Sequence, residues 1–270
     1  MAATPQQTAE ALVAEHDRNI QIWQAKVDRV TNADALAKLM EQRPKTKLYG
    51  DAVIKAINPY LREDWTVRHM AWLIRNHPNL TLKGKDSNAG YQNDVDREDI
   101  FMRYFEKLHL KSSRAGEFVL SLTFKLNPNP AVEVKKMKIA EKVVKQHPDL
   151  KNVGMASLAQ AILLPDNKDD PKLHDRRMAM YKTAIMHAAS EKIGTTSVGK
   201  IIRERLYHIN TIGIGCPVPF IEGMDSSGLK HQISDNKGRV VMLVFWTQKQ
   251  PNSKAIAARM KALMKSNEDK

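Results

Sequence analysis

Thiol chemistry in this chain rests on one residue, Cys216, because the sequence contains a single cysteine. It follows Gly215 and precedes Pro217, with no His or Lys close by in sequence to lower its pKa. A lone thiol forms no intramolecular bridge, so it reads as a small residue leading into a turn, with a bridge to a second chain as the alternative. The nine histidines are scattered, without a His-Glu-x-x-His or a nearby Cys, and call for no zinc. Asp86, Asn88, Asp94, Asp96, Glu98 and Asp99 invite a calcium loop, but their spacing fails the Asp-x-Asp-x-Asp-Gly pattern. Asp96 as N-cap and Asp99 in the first turn of a helix explain these acids more simply. Gly213 and Gly215 lack the third glycine or the Gly-Lys-Ser of a phosphate loop, and no Gly-x-Ser-x-Gly elbow occurs. The residues call for no cofactor and no metal. Lys135, Lys136, Lys138, Lys142 and Lys145 are the densest basic run; beside Val134, Met137, Ala140, Val143 and Val144 they read as the solvated face of a helix. Arg203, Glu204 and Arg205 read the same way.

The grammar of the sequence changes at Ile214. Pro217 and Pro219 block helix, and Phe220 to Gly223 is a short apolar segment. Asp225-Ser-Ser-Gly228 is a turn cluster, and Leu229 to Ile233 returns as a second strand. After a further turn at Ser234-Asp-Asn-Lys-Gly238, Val240 to Trp246 is apolar throughout, as a strand buried on both faces would be.

These residues resemble the start of a redoxin domain, in the thioredoxin-like superfamily of thiol-disulphide oxidoreductases and alkyl hydroperoxide reductases. Gly215-Cys-Pro-Val-Pro219 matches the family's opening Gly-x-x-x-Pro. Gly223-Met-Asp-Ser-Ser-Gly228 matches its hairpin, with Asp225 and Gly228 at the turn. Ile233-Ser-Asp-Asn-Lys-Gly-Arg-Val-Val241 matches the following element through Ser234, Asp235 and Gly238, and Phe245-Trp246 matches the strand end. The match covers roughly the last fifth of the chain. Beyond the Phe-Trp pair the resemblance implies a Cys-x-x-Cys at a helix start, and those two positions fall on Gln250 and Ser253. The exchange reaction needs a thiolate activated at a helix N-terminus and a second, resolving thiol. A Gln amide is no nucleophile here, and a serine without a base is a poor one. The resemblance also implies further strands and a cis-proline turn after the helix Lys254 to Met264, where this sequence has only six more residues. The domain therefore reads as incomplete.

Composition sets the frame. With 270 residues, 42% hydrophobic and 27% charged, the chain can bury a sizeable core. Low aromatic content (6%) with abundant Ala, Leu, Lys and Met leans helical. No apolar run approaches a membrane span. The N-terminus shows no signal peptide, which reads as cytoplasmic, although relatives in the redoxin family often work outside the cytoplasm. The net charge of +13 points to acidic partners, but it divides into +4 on residues 213–270 and +9 on the rest rather than forming a tail.

Eleven helices are expected, punctuated by proline, glycine and capping residues. They run over Thr8 to Val30, Ala33 to Gln42, Tyr49 to Ile57, Trp65 to Asn76 and Arg97 to Leu108. Further ones cover Arg114 to Leu126, Ala131 to Gln146, Lys151 to Leu163, Lys172 to Lys192 and Val198 to Ile209, and the last is Lys254 to Met264. Expected N-caps include Asp64 and Ser112 or Ser113. Gly154-Met-Ala-Ser-Leu-Ala-Gln-Ala161 is a small-residue pattern of closely packed helices. Asn76-His-Pro-Asn-Leu80 and Gln146-His-Pro-Asp-Leu150 form a faint repeat, as in stacked helical hairpins. The region Ala140 to Leu206 is also similar to the helical part that precedes the redoxin domain in some large bacterial proteins of that family.

The fold expected is mainly α, with an α-helical, repeat-like domain over residues 1–210. An incomplete thioredoxin-like α/β segment of hairpin, one central strand and one helix follows over residues 213–270. The function expected is that of a redox-inactive redoxin relative acting by protein–protein interaction. Two other readings stay open: a divergent thiol antioxidant using Cys216, and a basic helical module that binds nucleic acid. A run such as Val240 to Trp246 with an open edge is a template for a second copy or a partner strand.

Overall fold

Helices begin where the chain offers their unpaired N–H groups a side-chain oxygen. At Thr4 the hydroxyl accepts from the Gln7 amide (3.2 Å) and the Gln7 side chain accepts from the Thr4 amide (2.9 Å), so α1 (Pro5–Val27) starts on a capping box with proline at its first position. Asn129, Asp149, Asp170 and Ser197 cap α7 (Pro130–Gln146), α8 (Leu150–Leu163), α9 (Pro171–Ala188) and α10 (Val198–Tyr207), each side chain accepting from a first-turn amide. The remaining helices are α2 (Ala33–Glu41), α3 (Thr46–Ile57), α4 (Thr66–Asn76), α5 (Arg97–Tyr104), α6 (Ala115–Ser121) and α11 (Ser253–Lys265). Single π turns, Phe105–His109 and His208–Ile212, extend α5 and α10. This computed structural model describes residues 3–31, 33–78, 80–82, 95–125, 129–165, 170–213, 215–225, 227–245 and 253–267.

Each of the eleven expected helices is present, and the fold is mainly α. Several details differ. Asp64 does not cap α4, which starts from Trp65 without a side-chain cap; Thr66 Oγ1 instead donates to the Glu63 carbonyl (2.7 Å). Ser112 and Ser113 do not cap α6: its N-cap is Arg114, whose amide donates to Ser112 Oγ (3.2 Å). α6 also closes at Ser121, before the expected Leu126. α9 ends at Ala188 rather than Lys192, because the chain turns there into a hairpin of β3 (Lys192–Ile193) and β4 (Thr196–Ser197). Gly194 (φ +60°) provides the left-handed backbone that this turn requires. A second small hairpin pairs β1 (Thr81–Leu82) with β2 (Val95–Asp96) across the polar stretch Leu80 to Asp94, whose residues 83–94 lie outside the described set.

One core runs through the helices from Ala9 to Ile202. α8 is its axis: Asn152 and every residue from Gly154 to Ala161 are buried, enclosed by α6, α7 and α9. The small-residue pattern is what admits those neighbours. α4 has the same place in the first half, burying Val67 and Met70 to Ile74 against α1, α3 and α6. Phe105 and Phe118 stack at 4.1 Å where the halves meet.

The repeated His-Pro segments adopt one conformation. His77 (φ −69°, ψ 125°) and His147 (φ −79°, ψ 129°) are C-caps whose amides donate to Leu73 (2.9 Å) and Val143 (3.0 Å). Both rings turn inward. His77 Nε2 meets Asp51 Oδ1 (3.2 Å), and Gly50 leaves the room for that ring. His147 Nε2 donates to the Ser112 carbonyl (2.9 Å) while its Nδ1 accepts from the Asp149 amide (3.0 Å). The repeat thus marks a helix end that ties itself to the preceding element.

After Ile212 the packing changes. β5 (Glu222–Met224) pairs with β6 (Lys230–Gln232) in an antiparallel hairpin, a 3-10 turn follows at Ile233–Asn236, and α11 closes the described chain. None of the buried core side chains among the described residues comes from beyond Ile202. The expected central strand differs: Val240 to Phe245 joins no ladder among the described residues, and Trp246 lies outside them. Among the described residues β5 and β6 pair only with each other.

Candidate functional site

The hairpin motif is held by its aspartate. Asp225 Oδ1 accepts from the Ser227 amide (2.8 Å), the Ser227 hydroxyl (2.6 Å) and the Leu229 amide (3.0 Å), while Oδ2 contacts His231 Nε2 (3.0 Å). The Ser227 hydroxyl first, then His231 and the two amides, hold the Asp225 carboxyl well below its ordinary value of 3.8. Three motif glycines have left-handed backbone: Gly215 (φ +86°), Gly228 (φ +82°) and Gly238 (φ +88°). Gly223 is a strand residue paired with His231, its α-carbon facing open space. Asp235 closes the next turn, its carboxylate accepting from the Gln232 amide (2.8 Å), and Ser234 donates to the Gln232 side chain (3.3 Å). Pro219 leads into β5. Among the described motif residues, Asp225, Gly228, Ser234, Asp235 and Gly238 thus form the turns of the β5–β6 hairpin and of the segment after it.

A depressed carboxyl pKa ties the hairpin to pH. Its stabilisation is complete above the unfolded value near 3.8 and is lost as pH falls through the lower folded value. The hairpin amides of Leu229 and Ile233 should exchange slowly from neutral pH down to mildly acid solution and faster in strong acid. Asp225→Ala should give the fast exchange at every pH, and a variant with unchanged protection would show that the carboxylate does not hold the turn.

Cys216 is half-buried, and its thiol donates to the Ile209 carbonyl (3.4 Å), a contact open to the thiol and not the thiolate. Gln250 lies outside the described residues, and Ser253 is the first residue of α11. In residues 215–245 several apolar side chains face water: Phe220 is 75% exposed, Met224 73%, Leu229 60% and Phe245 89%, with Val240 fully exposed.

In the densest basic run Lys138 and Lys145 are exposed and Lys135 and Lys142 partly so, as a solvated face requires, but Lys136 departs from it. Lys136 is fully buried, its Nζ lying 3.0 Å from Glu133 and 3.1 Å from Glu98 and donating to the Lys125 carbonyl (3.0 Å). Lys135 pairs with Asp99 and Lys142 with Glu106. Three of the five lysines thus bind α7 to acids, two of those pairings reaching α5 itself, and this depletes the charge a phosphate backbone would meet. Five of the nine histidines (His16, His69, His77, His109 and His147) are buried hydrogen-bonding residues of the helical core. Among the described residues no group of His, Cys, Asp and Glu is arranged to hold a metal ion, and no described helix is long and apolar enough to cross a membrane.

A cleft of about 440 Å³ opens between α1, α4, α6 and the β3–β4 hairpin. Its floor is Trp72 and His69, each 3% exposed. Arg75 lies beside them, its Nη1 donating to Glu117 (3.2 Å) and Ser121 (2.8 Å). Burial lowers the pKa of Arg75 and of His69, keeping the imidazole neutral near neutral pH. Nothing in the sequence marks this site, because four elements contribute one or a few residues each and no motif spacing results. No protein-family profile, curated protein or solved structure matches the chain.

Proposed function

We propose that the chain is a redoxin-like protein that acts by binding another polypeptide rather than by thiol chemistry, with residues 213–270 as the binding element. The exposure of Phe220, Met224, Leu229, Val240 and Phe245 carries this reading. Burying a single such side chain stabilises a complex by about 1.5–3 kcal/mol, so four or five together supply a strong driving force. The run Val240 to Phe245, without a ladder partner among the described residues, accepts a strand from a partner or a second copy by edge pairing. Thiol exchange lacks its parts: the resemblance places its cysteine pair on Gln250 and Ser253, and the Cys216 thiol is tied to a carbonyl.

Two measurements test this. Light scattering on the purified chain should show mass rising with concentration, and Val241→Lys with Leu243→Lys should return it to monomer. A monodisperse monomer up to ~100 μM, with slow amide exchange over Val240 to Phe245, would mean the chain covers its own edge. Insulin reduction by dithiothreitol should run no faster with the protein than without it, and Cys216 should alkylate with iodoacetamide no faster than a free thiol. Turnover abolished by Cys216→Ser would instead establish the antioxidant reading.

A further inference from the structure

The cleft between α1, α4, α6 and the β3–β4 hairpin holds charges of both signs, and some of them are already matched. Glu117 takes both Arg75 (3.2 Å) and Arg114 (3.7 Å). Asp17 accepts from Trp72 Nε1 (3.1 Å) and contacts His16 Nδ1 (2.9 Å). Three charged groups on the wall have no ion pair among the described residues: Arg68, Lys192 and Glu10, the last accepting only from the Gln6 side-chain amide (3.0 Å).

His69 supplies a fourth unmatched group, and a buried one. Its Nδ1 donates to the Trp65 carbonyl (3.0 Å), which fixes the proton on that nitrogen and leaves Nε2 as an acceptor. No protein donor among the described residues meets Nε2, although the residue is only 3% exposed and lines the cleft. Glu10 and Arg68 line the same cleft as this ring and act on it with opposite sign. The residue as a whole is buried, and the cleft is the direction from which a donor can reach Nε2.

We propose that this cleft binds a small zwitterion of the α-amino-acid type. The ammonium group donates to His69 Nε2 and Glu10, the carboxylate accepts from Arg68 and Lys192, and an apolar side chain rests on Trp72 and Val13. A simple anion leaves Glu10 and His69 Nε2 unmatched, and a simple cation leaves Arg68 and Lys192 unmatched. A ligand that carries both charges answers all four. The site is distinct from the polypeptide-binding segment proposed above and does not depend on it.

Calorimetric titration of the full chain with L-leucine tests the assignment. Saturable binding in the range of ~0.1–1 mM is expected. Leucinamide, which lacks the carboxylate, and N-acetylleucine, which lacks the ammonium, should each bind at least ~10-fold more weakly. Arg68→Gln and Glu10→Gln lie on exposed positions and should weaken leucine by a similar factor while leaving the helical circular dichroism unchanged. The ¹⁵N resonance of His69 Nε2 should shift on addition of leucine, and by less at the same concentration of leucinamide or N-acetylleucine. The proposal fails if leucine, methionine and alanine all show no saturable binding at ~10 mM. It fails equally if the two blocked derivatives bind as well as leucine, or if the variants and the imidazole signal are indifferent to the ligand.

Discussion

Lys136→Ala should destabilise the chain by about 3 kcal/mol, the largest loss expected of any charged residue in α7. The lysine is fully buried and is the shared cation of Glu133 on its own helix and Glu98 on α5, while its ammonium also donates to the Lys125 carbonyl. Its approach to Glu98 Oε1 is an ion contact rather than an aligned hydrogen bond, so Coulomb attraction is what the substitution removes there. Breaking a wholly buried pair costs about 3–5 kcal/mol, and the lower end applies because the carboxylates keep some access to water. The melting temperature should fall by roughly 6–12 °C. Lys135→Ala is the contrast. Its partner Asp99 also pairs with Arg103, both groups are partly solvated, and the loss should stay under ~1 kcal/mol. Replacing the triad together by Lys136→Met, Glu98→Gln and Glu133→Gln should recover at least half of the deficit, since a buried charge network is expensive to break and cheap to replace whole. Chemical denaturation of the four proteins decides the matter. A Lys136→Ala no weaker than Lys135→Ala would show that the buried ammonium contributes nothing.

Lys136 also shows where a sequence is legible and where it is not. Helix existence was readable throughout, because proline, glycine and capping side chains act on the backbone within a few residues and need no tertiary partner. His77-Pro78 and His147-Pro148 end α4 and α7 for that reason. The orientation of a helix is another matter. On α7 the apolar residues admit two phases, and five lysines argue for putting them all in water. The buried stripe is in fact Lys136, Ile139, Ala140 and Val143, at i, i+3, i+4 and i+7, while Val134 is exposed. Spacing was the better guide, and Glu98 of α5, which with Glu133 pairs the lysine, comes from far back in the chain. The same limit hid the cleft: Glu10, His69 and Lys192 are separated by most of the helical region and meet only through packing. The hairpin motif was readable as turn chemistry, since Asp225, Gly228 and Gly238 act locally. Strand pairing for Val240 to Phe245 was not, because it depends on an edge being brought alongside.

Gly154→Leu should cost about 2 kcal/mol, and it tests whether the small-residue face of α8 is what fastens α9. A Cβ built at Gly154 lies 2.8 Å from Ala188 Cβ and 3.2 Å from the Ala188 amide nitrogen, so the neighbour is backbone and cannot swing aside. Two effects oppose each other. A side chain at this helix-interior glycine improves helix propensity by roughly 1 kcal/mol. Overpacking a close helix contact costs about 1–3 kcal/mol for a few added carbons. For Gly154→Ala these nearly cancel, with a net change within ~1 kcal/mol. Leucine brings three further carbons to the same point with no further gain in propensity, so the clash wins and α9 is levered off the axis of the core. The contact itself can be isolated by pairing Gly154→Ala with Ala188→Gly, which restores the space from the other side. The double substitution should be more stable than the sum of the singles by at least ~0.5 kcal/mol, as residues in direct contact are coupled. If Gly154→Leu unfolds at the same denaturant concentration as the unsubstituted chain, α8 and α9 are not held by this approach and the glycine has another purpose.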